Sequence, residues 1–243
     1  MSNEPFRDGH GVAKFRHEVI AVILRVSPVG GARLEVLVWR RTREPFTGRL
    51  ALPSGPVDAG ETMDEALERH LATKLDLTDL GHCEQLVTLS DPGRDPFERT
   101  IATAYVGLVG PSVEPGGDSA GRWEPLAGLG GMAFDHRRIV TAALGRVRAK
   151  LSYTNIAYAL APAEFTLARL RDLYIEVLGH DVDATNLGRV LGRRGEIVAT
   201  GRLSTPGAGG GRPARTYRFG SSGYRVTDPF AVLRPVNPVA PTE

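Results

Sequence analysis

LPSGPVDAGETMDEALERHLATKLDL, residues 52–77, is the stretch that decides the fold. Its first part is rich in Pro and Gly and predicts a loop, and its second part predicts a helix over residues 62–74. Thr62 stands three residues before Glu65, which is the spacing of a capping box that satisfies free backbone N–H groups at a helix start. An apolar stripe along this helix predicts that it packs on a core, and its members are Ala66, Leu67, Leu71 and Leu75.

Apolar, β-branched segments surround this loop and helix. We expect strands over residues 17–25, 35–41, 85–89 and 100–109, and a second helix over residues 135–150. The chain has 243 residues, 42% of them hydrophobic and 24% charged, which is typical of globular protein and long enough for two domains. Its apolar runs fall short of the ~20 residues of a membrane span. The single cysteine, Cys83, forms no internal disulfide, which favours the reducing cytoplasm.

The pattern changes after residue 150. Helices are expected over residues 153–160, 165–178 and 184–194, followed by strands over 197–203 and 215–219 around a Gly- and Pro-rich loop. Helices followed by a hairpin are typical of a winged helix-turn-helix. The predicted organisation is a flexible N-terminus (1–14), an α/β domain (15–149), a winged helix (150–226) and a flexible Pro-rich tail (227–243).

The net positive charge of the chain lies in its C-terminal part. Residues 1–150 carry 19 Lys and Arg against 20 Asp and Glu, whereas residues 151–243 carry 11 against 8. Between residues 189 and 218 seven arginines face one acid, Glu196. This cluster indicates a polyanionic partner such as DNA, although a solvated basic surface or a helical interaction domain would have the same composition. The expected DNA contacts on the recognition helix and wing are Asn186, Arg189, Arg193, Arg194, Arg212 and Arg215.

Residues 52–77 resemble the Nudix signature, with Gly55, Glu61, Arg69, Leu71 and Leu77 at the family's spacing. The resemblance implies an α/β/α sandwich. In active family members three acids at i, i+3 and i+4 of the helix converge on a divalent ion. Those positions hold His70, Thr73 and Lys74 here. Glu65 and Glu68 lie ~140° and ~160° around the helix from position 70, so they are poor replacements. We therefore expect no bound metal, no catalytic residues and no hydrolysis.

A retained pocket without catalytic acids favours binding. Segments beside the signature resemble the ligand-lining parts of ADP-ribose-type Nudix domains. Arginine forks suit phosphates, and a phenylalanine ring can stack on adenine. The expected ligand contacts are Arg40, Arg41, Phe46, Arg49, Glu61 and Arg99.

The combination resembles the Nudix-related transcriptional regulators of NAD metabolism, the NrtR-type repressors. The residues that carry the resemblance are Phe134-Asp135-His136, residues 152–160 with the expected DNA contact Thr154, residues 164–167, Asp183 with Asn186, and residues 211–214. The resemblance implies a homodimer that represses NAD biosynthesis or salvage genes from a palindromic operator and is released by ADP-ribose or a relative. One basic residue of the family's Asn-Phe-Arg-Arg run is replaced by Gly188.

Two alternatives remain open at this point. The chain could be an ADP-ribose pyrophosphatase with an appended domain, which requires metal-dependent release of AMP. It could also be a nucleotide-sensing scaffold for a protein partner, which predicts no steep salt dependence of DNA affinity.

Overall fold

The computed structural model describes residues 7–27, 31–116, 121–205 and 213–228. Within these ranges seven strands form one N-terminal sheet: β1 (Arg16–Ser27), β2 (Arg33–Arg40), β3 (Leu50–Ala51), β4 (Ser54–Pro56), β5 (His82–Leu89), β6 (Thr100–Leu108) and β7 (Arg122–Pro125). The order is β3-β2-β1-β6-β5, with β4 paired to β1 and β7 paired to β2. β1 and β6 are parallel. The four longer strands, β1, β2, β5 and β6, confirm the prediction. The sequence analysis missed β3, β4 and β7 because these strands have two to four residues, too few to show an alternating pattern.

Two helices cover the sheet, one on each face. Helix α1 (Met63–Leu75) packs on a core cluster that contains Val19, Ala21 and Ile23 of β1. Helix α2 (His136–Leu151) packs on a second cluster that contains the alternate residues of the same strand. Successive side chains of a strand point to opposite faces, so β1 supplies both cores. The predicted α/β/α sandwich is confirmed.

The ends of α1 follow the local sequence. The Thr62 side chain accepts the Glu65 backbone N–H, and the Glu65 carboxylate accepts the Thr62 N–H at 2.7 Å. The predicted capping box is therefore confirmed. Asp76 ends the helix in the left-handed conformation at φ 50°, where the Nudix signature has glycine.

The C-terminal half is a winged helix. Its elements are a 3-10 turn (Ile156–Ala159), β8 (Phe165–Thr166), α3 (Leu167–Leu178), α4 (Ala184–Arg193), β9 (Ile197–Leu203) and β10 (Arg215–Phe219), and its sheet has the order β8-β10-β9. The helix predicted over residues 153–160 is shortened to the 3-10 turn, since the Thr154 and Asn155 side chains bond to backbone groups and compete with helix formation. Phe165 and Thr166 are extended because they pair with β10.

The segment after β10 returns to the start of the winged helix, and we call residues 223–228 the C-terminal clasp. The Arg225 N–H donates to Asn155 Oδ1 at 2.7 Å, and Asn155 Nδ2 donates to the Gly223 carbonyl at 2.9 Å. The Thr227 N–H donates to the Tyr153 carbonyl at 2.8 Å. Because Asn155 is buried, these bonds satisfy an amide that has no access to water.

The two halves pack against each other. One hydrophobic cluster runs from the sheet and α2 into the winged helix, where it includes Leu160, Phe165 and Leu170. The Tyr158 hydroxyl donates to the Gly81 carbonyl at 2.8 Å across this contact. The predicted boundary at residue 150 lies in the last turn of α2. Of the termini predicted to be flexible, residues 1–6 and 229–243 lie outside the described residues, and residues 227–228 belong to the clasp. Among the described residues no helix is long and apolar enough to span a membrane.

Candidate ligand cleft and DNA-facing surface

The helix positions that hold metal ligands in a Nudix hydrolase carry other groups here. The His70 ring donates from Nε2 to the Pro56 carbonyl at 2.9 Å, and Lys74 Nζ donates to the Ser54 carbonyl at 2.6 Å. The Thr73 hydroxyl donates to a carbonyl of its own helix at 2.7 Å. Mg²⁺ requires oxygen ligands, and a cation is repelled by an ammonium. The described residues contain no cluster of three or more His, Cys, Asp or Glu side chains that could hold a metal ion. This site does not fit a divalent ion.

The remaining acids of α1 do not compensate. Glu65 and Glu68 line a separate groove of about 890 Å³, formed by α1, the loop after it and β5. The groove lies on the other side of the helix, in the direction expected from their angular offset.

Gly55 is required because α1 approaches β4 closely. A Cβ at this position would lie 2.1 Å from Cε1 and 2.2 Å from Nε2 of His70. The imidazole is buried, and burial lowers the pKa of His70, so the ring is neutral where it packs on the strand. The signature glycine thus allows helix–strand contact at the altered metal position.

Glu61 closes the loop that precedes α1. Its carboxylate forms a forked ion pair with Arg69, whose Nε lies 2.8 Å from Oε2, and it also accepts the Asp58 N–H at 2.7 Å. The Arg69 guanidinium holds the pKa of Glu61 at about 2. Because these partners occupy the carboxylate and it does not line the cleft described next, the structure does not bring Glu61 together with the other expected ligand contacts.

A cleft of about 210 Å³ lies between the start of β1, β4 and the junction before α2. Cationic, acidic and aromatic side chains line it together, which suits a ligand with phosphates and hydroxyl groups. The lining residues are Arg16, Glu18, Arg41, Glu44, Pro45, Ser54, Arg94, Asp95, Phe97, Glu98, Phe134 and His136.

Among the expected ligand contacts, Arg41 lines this cleft. Its guanidinium lies 4.7 Å above the Phe134 ring, and its Nε donates to the Pro45 carbonyl at 2.8 Å. Phe46 packs beside Phe134, with the two ring centroids 5.0 Å apart, and the Arg49 guanidinium lies 5.6 Å above the Phe46 ring. Arg41, Phe46 and Arg49 are therefore brought together.

Arg40 and Arg99 are placed elsewhere. Arg40 is exposed and donates to the Gly48 carbonyl at 2.6 Å. The Arg99 guanidinium lies 5.1 Å above the Phe15 ring, and its Nη1 is buried without a hydrogen-bond partner among the described residues. Neither arginine lines the cleft.

The expected ligand set omitted the residues that join the cleft to α2. Arg94 is almost fully buried and makes a forked contact with Asp135, at 2.9 and 3.2 Å. His136 Nδ1 accepts the Leu52 N–H at 3.0 Å, and full burial lowers the pKa of His136 to about 4. The sequence contains the triplet Phe134-Asp135-His136, but spacing alone does not reveal that Phe134 and His136 line a cleft.

Helix α4 offers a polar, basic face. Asn186, Arg189 and Arg193 are exposed, and Asn186 Oδ1 accepts a hydrogen bond from Arg189 at 2.7 Å. A Cβ on Gly188 would lie 2.9 Å from Leu167 Cδ1. The glycine that replaces a basic residue of the family therefore lies at the α3–α4 contact of the helix-turn-helix.

The structure contradicts the DNA contact expected of Thr154. Thr154 is fully buried, and its hydroxyl donates to the Lys150 carbonyl in the last turn of α2 at 2.8 Å. Arg194 is also directed inward, with Nη2 2.6 Å from Asp228 Oδ2 in the clasp, which neutralises its charge. Arg215 is exposed on β10, and Arg212 lies outside the described residues.

The geometry agrees with similarity to known proteins. Residues 15–143, more than half of the chain, match the NUDIX domain. The chain belongs to the Nudix family. In this Nudix protein the C-terminal residues 157–219 match the NrtR DNA-binding winged helix domain.

Three relatives of this Nudix protein differ in how much they share with it. The "ADPR responsive transcriptional repressor NtrR" of Acinetobacter baylyi is 25% identical over 94% of this chain and 92% of its own length. Shewanella oneidensis NrtR in complex with a 27mer DNA is 26% identical, with a TM-score of 0.72 over 83% of this chain and 92% of that chain. Its Nudix domain in complex with ADP ribose has a TM-score of 0.52 at 26% identity and covers 58% of this chain and 93% of that chain. The ADP-ribose pyrophosphatase of Methanocaldococcus jannaschii is 31% identical but covers 44% of this chain and 63% of its own length.

Proposed function

We propose that this chain is a DNA-binding transcriptional repressor released from its operator by ADP-ribose or a related NAD-derived nucleotide. The observation that carries the proposal is similarity over both domains: an ADPR responsive repressor aligns with 94% of the chain. The controlled genes would be those of NAD biosynthesis or salvage, and the protein would act in the cytoplasm as a homodimer.

The exposed face of α4 supports the DNA-binding part. A recognition helix lies in the major groove, where Asn pairs with adenine and Arg with guanine or phosphate. Asn186, Arg189 and Arg193 are exposed on this helix, and Arg215 is exposed beside the wing. A homodimer would present two such helices to half-sites ~34–36 Å apart on a palindromic operator.

We infer further that the Nudix domain binds its nucleotide without metal and without hydrolysing it. The contacts of His70 and Lys74 with the carbonyls of β4 support this inference, because they occupy the positions of the metal-binding acids. Without a metal ion the site lacks the activated water of a Nudix hydrolase.

A physical route joins the cleft to the DNA-binding helices. Arg94 binds Asp135 at the start of α2, and near the other end of α2 Arg148 Nε donates to the Val177 carbonyl of α3 at 2.7 Å. A ligand that engages Arg41 or Arg94 can therefore bias the position of α2. It changes operator affinity only by its differential affinity for the two arrangements.

The proposal is tested by fluorescence anisotropy of the purified chain with duplexes from upstream of NAD-biosynthesis genes. Unrelated duplex is the control, ADP-ribose is added or omitted, and salt is varied. We expect specific binding that weakens with ADP-ribose and falls steeply with salt. Arg193→Ala should weaken it, whereas Arg122→Ala, a loss of the same charge on β7, should not. Equal affinity for both duplexes at every salt concentration would refute the proposal.

The alternative is an ADP-ribose pyrophosphatase, and the 31% identity to the Methanocaldococcus enzyme favours it. It requires AMP release from ADP-ribose in Mg²⁺ or Mn²⁺. We expect no turnover above that of a chain carrying Glu61→Gln. Turnover abolished by EDTA and by that substitution would establish the enzyme.

A further inference from the structure

Lys74 has hydrogen-bonding capacity that the described residues do not use. Its side chain is half-buried, and the Ser54 carbonyl, 2.6 Å from Nζ, is the only acceptor that the described residues provide. The Trp39 ring lies 5.2 Å from the same atom. An ammonium has three N–H donors, so two remain for another partner.

The ammonium lies beside the cleft. Ser54, which accepts its hydrogen bond, lines the cleft, and so do Glu18 and Arg16. Burial lowers the pKa of Lys74, the negative charge of Glu18 opposes this shift, and the like charges of Arg69 and Arg16 add to it. A partly desolvated cation with unused donors is stabilised by a nearby anion.

Two of the arginines that line the cleft are more fully engaged than Lys74. Arg16 forms ion pairs with Glu18 at 2.6 Å and with Glu98 at 2.9 Å, and Arg94 is held by Asp135. Lys74 has no acidic partner within 4.0 Å among the described residues. It therefore retains a charge that an incoming phosphate can neutralise.

We infer that the Lys74 ammonium binds a phosphate group of the nucleotide, at the position where a Nudix hydrolase holds its divalent ion. The inference rests on the proposed function and explains how binding becomes independent of metal. Lys74 supplies a fixed positive charge to the pyrophosphate but no metal-bound water, so the ligand is held without being cleaved.

The test is calorimetric titration of the full chain with ADP-ribose, in EDTA and in Mg²⁺. Wild type should bind equally in both. Lys74→Gln, which can still donate to the Ser54 carbonyl, and Lys74→Met should each lose about 10- to 100-fold in affinity, as expected for a charge-assisted hydrogen bond. Lys74→Arg should retain most of it. Arg122→Met, which removes a distant charge of the same domain, should bind like wild type.

The outcomes separate the two proposals. Wild type without affinity for ADP-ribose would refute the proposed function itself. Wild type that binds while Lys74→Gln binds equally well, or binding that requires Mg²⁺, would overturn the role of Lys74 alone. Equal losses in Lys74→Arg and Lys74→Gln would also overturn it, because charge would then not be the property that matters.

Discussion

Gly55→Ala should destabilise the protein through a contact with a single side chain. The new Cβ would lie 2.1 Å from His70 Cε1, well inside any contact made by a real Cβ. The buried imidazole must move, and its hydrogen bond to the Pro56 carbonyl, 2.9 Å long, is then lost. Overpacking costs about 1–3 kcal/mol and the lost hydrogen bond about 0.5–1.5 kcal/mol, so we expect a loss of about 2–4 kcal/mol in the free energy of unfolding.

The assay is a double-mutant cycle read by thermal and urea unfolding. At about 2–4 °C per kcal/mol for a chain of this size, Gly55→Ala should lower Tm by about 4–16 °C. With His70→Ala as the background the same change should cost less than about 1 kcal/mol, because the atoms that it meets are gone. Equal costs in the two backgrounds would refute the steric argument, and so would a Gly55→Ala protein as stable as wild type.

Three further predictions concern pH, DNA contact and coupling. The native pKa of His136 lies near 4 and the unfolded value near 6.5. The difference contributes about 3 kcal/mol to the free energy of unfolding, and this contribution is complete above pH 6.5 and is lost as pH falls towards 4. His136→Asn should flatten that part of a pH–stability curve. Arg193→Ala should reduce the salt slope of operator binding by about one unit if the residue contacts a phosphate, whereas Arg194→Ala should lower Tm and leave the slope unchanged. Arg94→Met and Asp135→Asn should keep operator binding while the ADP-ribose effect, typically about 5- to 150-fold in allosteric proteins, falls towards one, and an undiminished effect would exclude this route.

The features that the sequence predicts correctly depend on residues that are close together along the chain. The capping box of Thr62 and Glu65 involves neighbours along the chain, and the periodicity of α1 and β1 depends only on which face is buried. The loss of metal ligands at His70 and Lys74 is likewise a matter of helical spacing. These features could be stated without knowing what packs against them.

The composition of the cleft is a tertiary property. Arg16, Arg94 and Phe134 come from three distant segments, and no spacing rule brings them together. Thr154 was assigned to the DNA surface for the same reason. The Thr154 hydroxyl donates to the Lys150 carbonyl in the last turn of α2, and Arg194 pairs with Asp228 of the clasp, which lies far along the chain from it.

The C-terminal clasp determines where this protein can be divided. Because Asn155 is bonded to Gly223 and Arg225, a winged helix cut after β10 would leave a buried amide without partners, at a cost of about 1–3 kcal/mol. The clasp also ties the two ends of the winged helix together. A winged-helix fragment of this chain should therefore end after residue 228 and not after β10, so that Asn155 keeps its partners.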